Sequence, residues 1–514
     1  MELTFEVRDS DLMGRIGRLR VGGKVLDTPC FLPVIHPVNQ LVTTQELEFM
    51  GFRGLMTNSY IILSRRRDEA LKEGIHKMLQ YQGVLMTDSG GYQVLEYGDI
   101  DAGYKRVASF QASIGSELSV TLDKPTGFSA SERYARSSME YSLKNAIATM
   151  DEYGQGRTVW VGPVQGGLFP FLLSRSASSL LKAGFEFLAL GSPVQVMENY
   201  KFPELLSMVA TTRRAIPYSV PLHLFGAGHP LTMALAVALG CDTFDSASYM
   251  LFARDGRFMT ERGVSRLEAM KFLPCSCPIC AKTTVAGLLE LGFSERTRSL
   301  ALHNLYALKK EVETCREAIA EGRLWDLVQE KAIAHPRLFD AFRRFSKAID
   351  LLLDGTALLK DKGLFIRDRY DFARPELARA GCRLEQSVRR STDSAVLVVS
   401  DEQLPLSKLR LSDHKLPSEC DFYRLHPTLG PYPAELDFVY PFTQTVASSE
   451  ACGRAQAAAA QKRLRNWGYS KVLLVKADAD RRRAIAEPRS RQRPKGSSPS
   501  PPSSLARPRL PRRP

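Results

Sequence analysis

The sequence predicts an α/β protein: a (β/α)8 TIM barrel with a zinc-binding insertion, then a smaller α+β accessory domain and a disordered basic tail. Three observations carry that reading. Eight short apolar runs alternate with helical patterns over roughly the first 250 residues, a length typical of such barrels. Run after run ends in a polar side chain, and glycines cluster just beyond those ends.

The runs are CFLPV (30–34), GLMTN (54–58), VLMTDS (84–89), LSVTLD (118–123), VWVGPVQ (159–165), FLALGS (187–192), PLHLFG (221–226) and DTFDS (242–246). Most are short and apolar, and several carry β-branched or aromatic residues, as buried parallel strands do. Between them TTQELEFMGF, SASERYARSSMEYSLKNAIATMDEY and FPELLSMVATTRRAI space their apolar residues at helical intervals.

The polar ends are Asn58, Asp88, Asp123, Gln165, Ser192 and Asp245. Strand ends leave the core and are often polar for that reason alone. In a barrel, however, they converge on one mouth, where such enzymes hold their active sites. Three carboxylates and two amides at one mouth suit a polar heterocycle or a developing cation. Gly90, Gly91, Gly166, Gly167, Gly191, Gly226 and Gly228 stand at the same edge, where a missing side chain lets backbone approach a ligand. None forms a GxGxxG or GxxxxGK[ST] loop, so no nucleotide cofactor is expected.

Cys275-x-Cys277-x2-Cys280 is followed by His303 in a helical pattern. Three thiolates from a tight loop and a helical imidazole can complete one tetrahedral Zn2+, with no position left for water, so one structural zinc per chain is expected. Cys315 or another histidine is the alternative fourth ligand.

The chain has 514 residues, 44% apolar and 25% charged, which excludes a fibrous or wholly disordered protein. It has no run approaching the ~20 apolar residues of a membrane helix and no secretory leader pattern, so a cytoplasmic protein without membrane contact is expected. Of nine cysteines three crowd into CSCPIC and six are scattered, which fits reduced thiols and a metal site rather than a disulfide scaffold. The net charge is +14, but from Arg481 onward ten Arg and one Lys face one Glu, so that stretch carries +10 and residues 1–480 only +4. Its Pro, Ser and Arg content predicts disorder over 479–514, with either non-specific attraction to nucleic acid or no fixed partner.

TDSGGYQ (87–93), QASIGSELSVTLD (111–123), VQGG (164–167), ALGS (189–192), PLHLFGAGHP (221–230), CDTFDSASY (241–249) and CSCPIC with His303 occur in this order. Together they resemble the tRNA-guanine transglycosylases over residues 1–345. TNSYII (57–62), LFGAGHP and FDSASY look like the archaeal branch, which inserts 7-cyano-7-deazaguanine (preQ0) at guanine 15 of the tRNA D-loop, toward archaeosine. The resemblance implies a pentosyltransferase with Asp245 as nucleophile and Asp88 as the second catalytic carboxylate. It implies that Asp123, Gln165, Gly191 and Ser192 bind the base edge. Tyr92 stands where archaeal relatives commonly carry a stacking Phe. Queuine or preQ1 as the incoming base is the nearest alternative, and a non-catalytic tRNA-binding paralogue is the other. Relatives also imply a homodimer.

The residue types suit the chemistry. Attack at C1′ of a ribose passes through an oxocarbenium-like state, which a carboxylate stabilises and can capture as an ester. A second carboxyl can give a proton to the departing base and take one from the incoming base. No redox cofactor or catalytic metal is required. The base must first leave the tRNA stack. Arg65, Arg66, Arg67 and Arg254 are candidates to hold phosphates around it.

The expected domains are 1–345 for the catalytic barrel, 346–390 for a helical, charged connector, 391–478 for the accessory domain and 479–514 for the tail. In the accessory domain SAVLVVS, CDFYRLHP and KVLLVK read as strands. The segment HPTLGPYPAELDFVYPFTQT (426–445) resembles the first C-terminal accessory domain of archaeal transglycosylases. Those enzymes end in a PUA module that grips tRNA. None is visible in this sequence, so a PUA protein acting in trans is a candidate partner.

Overall fold

The computed structural model describes residues 1–91, 103–400, 404–411, 415–448 and 454–479. Tyr92 and the basic tail from residue 480 lie outside the described residues. The chain forms two compact units, Met1–Ser387 with Gln444–Cys452, and Val388–Thr443 with the residues from Gly453 onward.

The first unit opens with a three-stranded antiparallel sheet that was not foreseen from sequence: β1 (Leu3–Asp11), β2 (Gly14–Val21) and β3 (Lys24–Thr28). Eight strands follow, and every one coincides with an expected apolar run: β4 (Cys30–Pro33), β5 (Gly54–Asn58), β6 (Val84–Asp88), β7 (Leu118–Val120), β8 (Val159–Val164), β9 (Phe187–Leu190), β10 (Leu222–Leu224) and β11 (Thr243–Ser246). They form one sheet in the order β4-β11-β10-β9-β8-β7-β6-β5, with every pair parallel. A parallel bridge between Val34 and Met56, with the Ile35 N–H donating to the Met56 carbonyl at 2.8 Å, joins β4 to β5 and all but closes the barrel.

Two apolar clusters define which way each side chain faces. Leu32, Met56, Val84, Met86, Leu118, Val120, Val159, Val161, Phe187 and Ala189 pack together inside the barrel. Leu19, Val21 and Leu26 of β2 and β3 join them, so the N-terminal sheet plugs one end of the barrel. Leu55, Leu85, Trp160, Leu188, Leu190, Leu222, Leu224 and Phe244 pack outward with the helices. Burial on both faces explains why these strands read as continuous apolar runs rather than as alternation. The helices Glu132–Tyr153 and Phe202–Arg214 occupy the expected helical stretches; Ser131 caps the first by accepting from the Tyr134 N–H.

The stretch expected as a connector contributes helices Ile349–Gly355 and Pro375–Ser387 to this unit, and a strand, Leu364–Ile366, that pairs with Thr445–Ala447. Lys360 is buried there between Asp11 of β1, at 2.6 Å, and Glu376.

The second unit carries a four-stranded sheet in the order Gly430–Pro433, Asp421–His426, Ser394–Val399, Lys471–Lys476, with only the first pair antiparallel. Helix Arg454–Asn466 covers Ala395, Leu397 and Tyr423 with Ala460 and Leu464. No described helix is long and apolar enough to cross a membrane.

Candidate active site and metal centre

Strand parity brings the polar residues together. On β6, Val84 and Met86 face the barrel interior, and Asp88 is the next residue on that face. Asn58 follows Met56 on β5 in the same way, and Gln165 continues the face of Val159 and Val161 on β8. On β11, Phe244 faces the helices, so Thr243 and Asp245 face inward. Asp123 stands three residues beyond Val120, after β7 has ended, and reaches the group by its side chain.

Each carboxylate has its own environment. Asp88 Oδ2 accepts from Asn58 Nδ2 at 3.1 Å, and Asn58 Oδ1 caps the next helix by accepting from the Ile61 N–H at 2.9 Å. Burial, and then the charges of Asp123 and Asp245, push the Asp88 carboxyl up to about 7, against opposing backbone N–H donors at Gly90 and Ser89. Asp123 and Asp245 thus lie within electrostatic reach of Asp88. Burial raises Asp123 to about 6, although Gln165 Nε2 donates to its Oδ2 at 2.6 Å and favours the charged form. Gln165 is fully buried. Its Oε1 accepts from the Thr126 N–H (3.2 Å), Thr126 Oγ1 (2.9 Å) and Ser192 Oγ (2.9 Å). That oxygen is fully engaged, so the amide orients Asp123 and the Ser192 turn, where Ser192 has φ +62°.

Two glycines make this packing possible. A Cβ on Gly91 would lie 2.3 Å from Asp123 Oδ1, and one on Gly191 would lie 2.3 Å from Gln165 Nε2. Asp245 Oδ1 accepts from His223 Nε2 at 2.9 Å and from the Gly226 N–H at 2.9 Å. Its Oδ2 has no protein partner among the described residues.

His223 is the residue that sequence reasoning missed. It lies on β10 between Leu222 and Leu224, both of which face the helices. A polar side chain at the inward position between two outward leucines was the available signal, hidden inside a run read only as apolar. Of the expected phosphate contacts, Arg66 is engaged by Glu69 and by the Pro37 carbonyl at 2.8 Å, and Arg67 pairs with Asp68 at 3.2 Å. Arg65 and Arg254 are exposed, and both help burial to lower the pKa of His36 just beyond β4.

Cys275, Cys277, Cys280 and His303 come together, with their ligand atoms all within 4.8 Å of one another. His303 Nδ1 lies 3.6 Å from Cys277 Sγ and 3.4 Å from Cys280 Sγ. Its Nε2 faces the Met259 carbonyl at 2.8 Å, which fixes the proton there and leaves Nδ1 as the donor toward a metal. The ring stacks on Phe258, with centroids 3.5 Å apart. Phe258 and Met259 belong to hairpin β12 (Arg257–Thr260) and β13 (Gly263–Arg266), which was also not foreseen. Asn304, the next residue on the 28-residue helix Phe293–Ala320, accepts from the Met259 N–H at 2.9 Å and donates to the Tyr249 and Arg257 carbonyls. The thiolate and imidazole donors fit a soft or borderline ion in a closed four-ligand site. Cys315, the alternative ligand, is buried elsewhere on that helix.

Comparison with known proteins shows the family. A family described as Queuine tRNA-ribosyltransferase matches residues 9–337. The tRNA-guanine(15) transglycosylase of Sulfolobus acidocaldarius is 37% identical over 447 residues, covering 86% of this chain and 88% of the relative. That of Methanosarcina mazei is 37% identical over 454 residues, 87% and 88% of the two chains. That of Thermococcus onnurineus is 36% identical over 447 residues, 87% and 72%. A match over most of the barrel and long alignments to archaeal relatives lead to one assignment: this chain belongs to the tRNA-guanine transglycosylase family of pentosyltransferases.

Proposed function

We propose that the protein exchanges guanine 15 of the tRNA D-loop for preQ0 through a covalent aspartyl-ribose intermediate, as a step toward archaeosine, in the cytoplasm. The observation that carries this reading is the unlike treatment of two facing carboxylates. Asp245 has one oxygen held by two donors and the other without a partner among the described residues, whereas Asp88 is raised to about 7. In the first displacement Asp245 Oδ2 bonds to C1′ as the C1′–N9 bond breaks. The electron pair leaves with guanine, which takes the proton of Asp88. The second displacement reverses these movements with the incoming base, and the two inversions retain configuration. A group titrating near neutrality is suited to both giving and taking that proton.

Asp123, with Gln165 behind it, together with the Gly191-Ser192 backbone, would read the base edge, and Tyr92 would stack on the base. The Cys3His group would hold one structural Zn2+. A homodimer, and a PUA protein supplying further grip on tRNA, complete the proposal. That the relatives are tRNA-guanine(15) transglycosylases supports the position of exchange.

One assay tests the reading. The protein is incubated with tRNA carrying labelled guanine at position 15, and then with preQ0, preQ1 or queuine. Release of label by preQ0 at lower concentration than by the other two is expected. Preference for another base would replace the substrate, and absence of any exchange would support a non-catalytic tRNA-binding protein.

A further inference from the structure

We propose that His223 is the positioning residue for the nucleophilic carboxylate, and that Thr243 fixes the imidazole tautomer this requires; the inference rests on the assignment of Asp245 as nucleophile. His223 is fully buried, yet neither ring nitrogen is spent on backbone. Nε2 lies 2.9 Å from Asp245 Oδ1 and Nδ1 lies 2.7 Å from Thr243 Oγ1, both partners being on the adjacent strand β11. His223 and Thr243 are register partners in the barrel. Asp245 lies two residues on, on the same inward face.

A carboxylate accepts but cannot donate, so in the neutral ring the proton sits on Nε2, and Nδ1 accepts from the threonine hydroxyl. The chain Thr243–His223–Asp245 therefore has one direction. It ends on Oδ1, which the Gly226 N–H also holds. Two donors on one oxygen fix the plane of the carboxylate and leave Oδ2 as the oxygen that meets C1′.

A buried, satisfied histidine serving packing alone would not need both its partners on the strand that carries the nucleophile. Chemistry gives the pair a second use. When Oδ2 bonds to C1′, Oδ1 becomes the carbonyl oxygen of the ester. When the incoming base displaces the ester, negative charge returns to the carboxylate. The His223 and Gly226 N–H groups bind the charged form more strongly than the ester, so they favour departure of Asp245 in the second displacement.

The test uses the full chain with tRNA and labelled guanine. His223→Phe keeps a planar ring and removes the donor. Misplacing a reacting group by about an ångström costs on the order of 100-fold, so kcat per folded enzyme should fall about 10- to 100-fold. KM for tRNA should change less than about threefold, because groups that act only near the reacting bond change kcat rather than uniform binding. His223→Gln, which can still donate, should recover a large part of the loss. A kcat for His223→Phe within about twofold of wild type overturns the proposal, as does a His223→Gln no faster than His223→Phe. If His223→Phe does not fold, Thr243→Val decides. It is similar in volume, lacks the hydroxyl, and should lower kcat with KM retained; an unchanged kcat overturns the proposal. Peptide mapping of the wild-type tRNA adduct separates the two levels. An adduct on a residue other than Asp245 removes the underlying assignment. An adduct on Asp245 with a fully active His223→Phe removes only the role of His223.

Discussion

At the scale of single residues, the proton on Asp88 couples its proposed catalytic role to stability. Its folded-state pKa of about 7 stands above the usual carboxylate value, because burial and two neighbouring carboxylates disfavour the charge. The folded chain therefore holds this proton more tightly than the unfolded chain. The stability it contributes is complete below the unfolded pKa and is lost as pH rises through about 7. Asp88→Asn is neutral throughout. Its melting temperature relative to wild type should rise by about 2–5 °C between pH 5 and pH 8.5, while base exchange falls at least ~100-fold. Paired thermal melts across that range check it; a difference independent of pH would remove the raised pKa. Asp245→Asn should lose both exchange and the covalent tRNA band on denaturing gels while keeping most tRNA affinity. Gly91→Ala tests the close approach to Asp123. Its Cβ would lie 2.3 Å from Asp123 Oδ1 and 2.8 Å from the Asp123 carbonyl, so the carboxylate proposed to read the base edge must shift. KM for the incoming base should rise by about tenfold, with tRNA binding less affected, as a base titration at fixed tRNA would show.

At the scale of elements, the Cys3His group joins the Cys275–Cys280 loop to the long helix bearing His303, and hairpin β12–β13 holds that helix from the other side through Met259 and Asn304. Metal binding at a site formed only on folding adds directly to folding free energy. Cys277→Ser should lower zinc from about one per chain toward zero and reduce amide protection in Arg257–Arg266 and around His303, with the barrel strands little changed. Elemental analysis with hydrogen exchange measures both, and carefully purified wild type without zinc would eliminate the site. The same elements show what was legible in the sequence. The eight barrel strands were legible because burial on both faces writes continuous apolar runs, and the Cys3His group was legible because three of its ligands are sequence neighbours. The plug β1–β3 and the hairpin β12–β13 were not. Arg8, Arg15, Arg18 and Arg20 interrupt β1 and β2, and the burial that makes Arg15 tolerable, its pairing with Asp242 far along the chain, is a tertiary fact. Asp88, Asp123 and Asp245 were visible as polar strand ends. Their differing environments were not, because these depend on Asn58, Gln165 and His223 crossing between strands.

At the scale of the whole molecule, charge is divided unevenly along the chain. Residues 1–480 carry only +4 of the net +14, and the stretch from Arg481 carries +10. A polyanion such as tRNA attracts such a stretch without specific contacts, and each phosphate neutralised releases counterions. The logarithm of affinity then falls with the logarithm of salt by about 0.7 to 0.9 per contact. A Pro- and Ser-interrupted charge run lacks the aromatic platforms that add stacking to single-stranded binding, so its contribution should be electrostatic. Deletion from Arg481 onward should therefore weaken tRNA binding at low salt, flatten the salt slope by about one to several contacts, and leave affinities converging at high salt. Turnover at saturating tRNA should be unchanged, because Asp88, Asp245 and their partners all lie in the barrel. Titrating full-length and truncated proteins with tRNA at several salt concentrations separates this from its alternative. Superimposable salt plots would place the whole anchoring energy in the folded units, with exposed cations such as Arg65 and Arg254 the next residues to substitute.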